Sequence, residues 1–424
     1  MRLTTISNVI DWIVIIIMST YGLALTGTYT IDVVSKGSPY NLFLFVCFFH
    51  LVRFGLKFDF LFVLKKKNIL ILFFFIYIID VFQACLYHTF DKTCRIIFLT
   101  LTVFVFMSYL FNVHNFHRKR GRNGLEDVLH PYKAYVIYNL VVILLMFILI
   151  TMGVPYQLNP LGDDVMLISG HSEWKLDHYF PYYLCMTMFF HDIFPIPTLT
   201  GLSHEAHVIM FVITPGVFFL LGMRSKWKYA IFGMYLFTLI ETTSTTAIVC
   251  ALVIFSMEIL RSAIIKRKCR LLLGAVVIGG VCVWLLSELL SIVHMQVLYK
   301  LEGQDDSGAT SQSMLEYLFS FRDIWGLGNF PKEYGLELRG QSGGIITGLL
   351  DLLLYVKLWI VAFKCLLNQN KEVNFIGLGC MYFFLHMSKL SYMSFSYLYF
   401  TFILFVVVVL ENYHLESQSV EWER

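Results

Sequence analysis

Charge is scarce in this chain. Asp, Glu, Lys and Arg together supply 14% of its 424 residues, where a soluble domain carries roughly 25%. Too few charged groups exist to clothe a water-facing surface, which excludes an ordinary soluble domain. Cysteine chemistry is also missing. The nine cysteines are scattered, no pair has metal-ligand spacing, and no disulfide framework can be read. Cys47, Cys250, Cys282, Cys365 and Cys380 sit inside apolar runs, where cysteine behaves as a small hydrophobe. Only Cys85, Cys94 and Cys185 are placed to face an oxidising compartment. There is no internal repeat and no mirrored pair of Gly/Pro-broken spans of the kind that transporters show. The first apolar run contains Asp11 and lacks a small-residue cleavage site after it, so it reads as a retained span.

What fills the chain is hydrophobic: 58% of the residues. They fall in runs of roughly 17–22 residues, the length that crosses a bilayer. Backbone groups in lipid must be satisfied within each segment, so the spans are expected to be helices. The runs lie near 9–28, 41–63, 69–87, 95–113, 134–152, 206–222, 229–242, 246–262, 271–294, 344–366, 374–390 and 395–411. The reading is therefore an all-α polytopic transmembrane bundle of about twelve spans in a single membrane domain.

Net charge says little in such a chain; the placement of basic residues says more. Lys65, Lys66 and Lys67 share one set of connections with Arg118, Lys119, Arg120, Arg122 and Lys133. Arg224, Lys226 and Lys228 fall in the same set, as do Arg261, Lys266, Arg267, Lys268 and Arg270. Arg53 and Lys57 read as snorkelling to that side. The other set holds Lys36, Lys92, Arg95, Lys175, Lys300, Arg322, Lys332 and Arg339 across far more chain. Both termini are expected inside. Outside, two connections are long, 153–205 and 295–343, well beyond the 12–15 residues above which loops are usually functional or disordered, an approximate threshold. Within the first, 181–194 is aromatic-rich, too short to span, and expected to be re-entrant or interfacial.

Several outer residues are chemically suggestive. His204-Glu205-Ala206-His207 has histidines at i and i+3, whereas a zincin needs i and i+4, so zinc hydrolysis is not the reading. Glu205 enters a span, where a carboxylate usually marks a site; equally, it could be a helix N-terminal carboxylate with Ser203 as N-cap. Glu241-Thr242-Thr243-Ser244-Thr245-Thr246 forms a polar outward hairpin that either caps two helices or bonds a polar ligand. Arg322, in an apolar–aromatic stretch, is suited to bidentate phosphate recognition, with an ion pair to Asp323 as the plainer role.

The order of these features resembles that of bacterial oligosaccharide repeat-unit polymerases (Wzy-type O-antigen polymerases), of the O-antigen ligase-like superfamily. The resemblance rests on Gly201-Leu202-Ser203-His204-Glu205-Ala206, then Arg224-Ser225-Lys226, then Thr242-Thr243-Ser244-Thr245-Thr246. It continues in Arg322-Asp323-Ile324-Trp325-Gly326-Leu327-Gly328 and a span opening at Gly343. It covers about residues 200–366, while the first five spans match in hydropathy only.

That likeness implies a multispan, GT-C-like glycosyltransferase of the bacterial cytoplasmic (inner) membrane with its active side extracytoplasmic. Its donor would be an undecaprenyl-pyrophosphate-linked oligosaccharide, its partners the bilayer and a chain-length regulator, with no nucleic acid, cofactor or metal. Arg322, Arg339 and, less centrally, Lys332 would bind the pyrophosphate leaving group. Glu205, with His204 or His207, would orient or deprotonate the acceptor hydroxyl. Aromatic residues over 174–190 would stack on sugars, or form an interfacial belt. Two departures stand out. Ligases carry a histidine where this chain reads Arg339-Gly340-Gln341-Ser342, which favours polymerase. The tandem R-x(10)-G elements of some polymerases are absent, since Glu333 and Leu350 occupy the glycine places. A transporter or lipid-linked glycan flippase is the reading from a different class.

Overall fold

The computed structural model describes residues 2–20, 28–58, 68–87, 89–154, 185–190, 197–203, 206–223, 226–242, 244–265, 344–368, 370–387 and 398–411. Among these the chain is almost entirely helical, with eleven helices. They are α1 (Arg2–Thr20), α2 (Thr28–Phe54), α3 (Asn68–Tyr87), α4 (Phe90–Arg118) and α5 (Gly124–Thr151). A β-hairpin follows, β1 (Met186–Phe190) and β2 (Pro197–Gly201). Then come α6 (Ala206–Leu221), α7 (Lys228–Glu241), α8 (Thr245–Ile265), α9 (Gly344–Leu366), α10 (Lys371–Met387) and α11 (Leu398–Glu411).

Three described helices are long and apolar enough to cross a membrane: Asn68–Leu86, Thr93–Arg118 and Gly124–Thr151. Their outward faces fit lipid. On α3, Ile71, Phe75, Ile78 and Phe82 are each about half exposed and recur at helical spacing. Leu349, Leu352, Leu353, Val356, Ile360 and Phe363 repeat the pattern along α9. Apolar stripes of this length in water would aggregate; in hydrocarbon they need no partner. The chain is a membrane protein on this evidence.

Helix ends are set by local chemistry. Asn123 caps α5, its side chain accepting from the Glu126 amide at 3.3 Å, and Glu126 and Asp127 place negative charge in the first turn. At the end of α4, Gly121 has φ +72°. There the Arg122 amide reaches the His117 carbonyl and the Gly121 amide the Arg118 carbonyl. That is a Schellman closure, and the left-handed residue it requires is most cheaply glycine.

The core is built on α6, α10, α11 and α5. Pro215 within α6 cannot donate to the Phe211 carbonyl, so this stretch of helix has a weakened ladder. Beside it the Val212 carbonyl accepts from Tyr132 of α5 and from Tyr399 of α11 at 3.1 Å; the two hydroxyls lie 2.7 Å apart. Glycines allow close helix approach here. A Cβ on Gly379 of α10 would lie 2.6 Å from the Phe219 ring and 2.7 Å from the Pro215 carbonyl.

These contacts give the bundle two ends. The α4–α5 turn, the C-terminus of α6 and the N-terminus of α10 share one: Gly124 lies against His114, and Gly222 against Glu372 and Phe375. The β-hairpin, the second half of α5 and the α7–α8 turn share the other, because Leu199 bonds Glu241, Leu202 bonds Asn139, and Cys185 packs with Val142, Ile143 and Met146.

The structure departs from the sequence reading in three places. The stretch read as re-entrant or interfacial supplies a β-strand over 186–190, so the chain is not purely α. The helix that carries the second apolar run begins at Thr28 and stops at Phe54, short of 63, where the sequence reading ends the run. Arg53, read as a snorkelling cation, has a side chain only 9% exposed and pairs with Asp11. The run 271–294 and the loop 295–343 lie outside the described residues.

Candidate functional site

At the hairpin end, buried polar groups from distant segments converge. β1 and β2 pair antiparallel, with Met186 opposite Gly201 and Thr187 opposite Leu199. The Thr-Leu-Thr of β2 alternates side chains, as a strand does. Its Leu199 amide donates to Glu241 Oε1 at 2.6 Å. Glu241, the last residue of α7, is 0% exposed. A backbone amide in so dry a place must find an acceptor, and the Glu241 side-chain oxygen supplies it. It ties the hairpin to the α7–α8 turn.

Asn139 makes the second tie. Fully buried on α5, it donates from Nδ2 to the Tyr135 carbonyl at 2.9 Å and accepts the Leu202 amide on Oδ1, also at 2.9 Å. Gly201 has φ +60°, and a Cβ there would strike the Asn139 side-chain oxygen. Glycine is required twice over, for the left-handed backbone and for the close approach. The turn then closes through the Ser203 amide on the Thr200 carbonyl at 3.0 Å and the Thr200 hydroxyl on the Ser203 carbonyl at 2.5 Å.

Cys185 packs beneath with Val142, Ile143, Met146 and Leu199. Burial pushes its thiol up, the Glu241 carboxylate adds to that, and hydrogen bonding near Gly201 and Thr200 opposes it.

Two hydroxyls of the polar hairpin after α7 are engaged locally. Ser244 Oγ accepts the Ala247 amide at 3.4 Å at the start of α8, and the Thr242 hydroxyl turns back to Leu239 at 3.4 Å. Ser203, which one of the two readings of Glu205 makes an N-cap, has a buried hydroxyl without a hydrogen-bond partner among the described residues. Of the six candidate site residues, only His207 lies within the described residues, half-buried in the first turn of α6. His204, Glu205, Arg322, Lys332 and Arg339 lie outside them. Among the described residues no group of three His, Cys, Asp or Glu could hold a metal ion.

A second polar cluster sits towards the opposite end. The Arg53 guanidinium donates to both carboxylate oxygens of Asp11, each at 3.2 Å, and the Tyr109 hydroxyl donates to the same carboxylate at 2.7 Å. His117 lies 3.9 Å from Asp11 and 3.2 Å from Asp127. Four helices, α1, α2, α4 and α5, meet there.

Sequence reasoning noted Glu241 only as part of a polar hairpin, and missed Asn139 and the pairing of Asp11 with Arg53. A carboxylate closing a short apolar run was the available signal for Glu241. No family model, curated protein or solved structure matches this chain.

Proposed function

We propose that this chain is a bacterial surface-polysaccharide polymerase: about twelve spans, both termini inside, and the hairpin end extracytoplasmic. It transfers a growing glycan from undecaprenyl pyrophosphate to a sugar hydroxyl of a lipid-linked repeat unit. The acceptor oxygen forms a bond to the anomeric carbon while the bond from that carbon to pyrophosphate breaks. The hydroxyl proton passes to Glu205 or a neighbouring histidine, His204 or His207. Charge gathering on the departing pyrophosphate is met by Arg322 and Arg339, with Lys332 nearby, so the step is electrostatic stabilisation without a metal.

One observation supports the reading above others. The turn at 201–203 and the polar segment that follows Glu241 belong to two of the five segments on which the resemblance rests. The 2.6 Å bond from Leu199 to Glu241 holds them at one end of the bundle. Glu241 and Asn139 are positioning residues in this scheme, setting where the chain leaves β2 towards His204 and Glu205.

The test is incubation of purified protein with a lipid-pyrophosphate-linked oligosaccharide, products being read as a ladder on a gel. Wild type should give a ladder, and Arg322→Ala and Glu205→Gln should abolish it. Glu241→Gln should retain most of it, because the amide oxygen still accepts from Leu199. A wild-type ladder untouched by Arg322→Ala discards that residue's role; no ladder from a cognate substrate discards the polymerase.

A transporter or lipid-linked glycan flippase is the second reading. The buried cluster of Asp11, Arg53 and His117 favours it, since ionisable groups held between the helices of a membrane protein often mark a pathway. Movement of a lipid-linked oligosaccharide between leaflets of proteoliposomes, with no ladder, is its expected result.

A further inference from the structure

We propose that the basic end of the bundle, centred on the α4–α5 turn, is a docking surface for the phosphodiester headgroups of anionic phospholipid. The inference is independent of the reaction at the other end.

The turn concentrates cations. Arg118, Lys119, Arg120 and Arg122 are all exposed, within a tight Schellman closure that holds them close together. Arg120 is fixed further by its guanidinium, 3.9 Å from the centre of the Phe116 ring; Arg53 lies 4.2 Å from that ring. The two acids that follow the turn are engaged: Glu126 bonds Lys133 at 2.6 Å and Asp127 faces His117 at 3.2 Å, while Glu372 shares the end at the start of α10. Among the described residues, Lys119, Arg120 and Arg122 are in no ion pair.

The fold adds what a single loop could not. Two further turns reach the same end from distant sequence, bringing exposed Lys226 before α7, and Lys364 and Lys371 around the α9–α10 turn. Trp227 and Tyr229 stand beside Lys226, 74% and 76% exposed, the amphipathic aromatics that settle at headgroup depth. The lipid-facing stripes of α3 and α9 put the sides of the bundle in hydrocarbon. Its basic end therefore meets headgroups first, and clustered Lys and Arg beside membrane helices attract anionic ones. Charge complementarity and depth together select a lipid over a soluble anion.

The experiment uses the full chain in neutral detergent, titrated with short-chain phosphatidylglycerol, short-chain phosphatidylcholine, inorganic phosphate, or an oligoglutamate peptide. The readout is the midpoint of thermal unfolding, with the triple variant Lys119→Gln/Arg120→Gln/Arg122→Gln alongside. Phosphatidylglycerol should raise the wild-type midpoint and phosphatidylcholine and phosphate should not. The variant should need at least tenfold more phosphatidylglycerol for the same rise, since each cation near an anionic surface is worth about fivefold in affinity. Added salt should erase the difference. Equal responses to the two lipids, an unchanged response in the variant, or a larger rise with the peptide each overturn the proposal. The three residues are exposed, so loss of folding is not expected; if the variant does unfold, the wild-type comparison of the lipids decides alone.

Discussion

Removing one partner of the Asp11–Arg53 pair should be among the most damaging changes to the bundle, and removing both among the mildest. The side chains are 9% and 6% exposed, so neither ion keeps much water. Arg53→Met retains the length of the stem and leaves the Asp11 carboxylate buried, with the Tyr109 hydroxyl as its near donor and His117 at 3.9 Å. Stranding a buried charge costs ~3–5 kcal/mol. Asp11→Leu should fall at the lower end of that range. The orphaned guanidinium still lies 5.1 Å from Phe54 and 4.2 Å from Phe116, and such contacts return ~0.5–2 kcal/mol. The double variant leaves no stranded ion and should sit within ~1 kcal/mol of wild type, because replacing a buried pair by apolar groups is often neutral. The assay is reversible unfolding in mixed micelles of increasing SDS fraction, followed by helix content, with the four proteins forming a double-mutant cycle. Single variants that each lose under ~1 kcal/mol would mean that water reaches the pair as it does a surface bridge. A double variant as unstable as the sum of the singles would refute the coupling.

Gly379→Ala should destabilise by ~1–3 kcal/mol, the usual range for overpacking, because its Cβ meets a backbone carbonyl that cannot rotate away. The same unfolding assay checks it, and a neutral result would show that α6 and α10 are further apart. Cys185 should resist N-ethylmaleimide in the folded protein at neutral pH, and should label once SDS unfolds the hairpin end, as read by peptide mass mapping. The sign follows from burial, which favours the neutral thiol over the thiolate. Its contribution is held below an ordinary thiol value of ~8.5 and lost as pH rises beyond it. Labelling of native Cys185 at the rate of a free thiol would contradict the packing.

The middle of each long span was legible in the sequence, and the ends were not. α3 and α4 contain the runs at 69–87 and 95–113, because an apolar stretch of bilayer length has few other fates. α5, however, starts at Gly124, ten residues before the run that announced it. Its first turns hold Glu126, Asp127 and Lys133, letters that read as a loop. They are helical because Asn123 caps them, and because Lys133 is buried against Glu126 rather than hydrated. Hydropathy weighs each residue alone and cannot see that exchange of water for a partner.

The same blindness explains the two polar clusters. Arg53 reads as a snorkelling cation because its partner, Asp11, is 42 residues away in sequence, and neither residue alone discloses the other. The hairpin end is the sharper case. Phe189 and Phe190 drew attention as aromatics, whereas the alternation Thr198-Leu199-Thr200 before Gly201 was the usable strand signal. Glu241 and Asn139 then follow physically. A strand paired on one side only leaves its Leu199 amide without a ladder partner, and a buried amide must find an acceptor. The end of α7 supplies a carboxylate and the flank of α5 a side-chain amide. The residues that most define the candidate site are therefore those that settle the backbone of a short strand, and only a fold that brings α5, α7 and β2 together makes them recognisable.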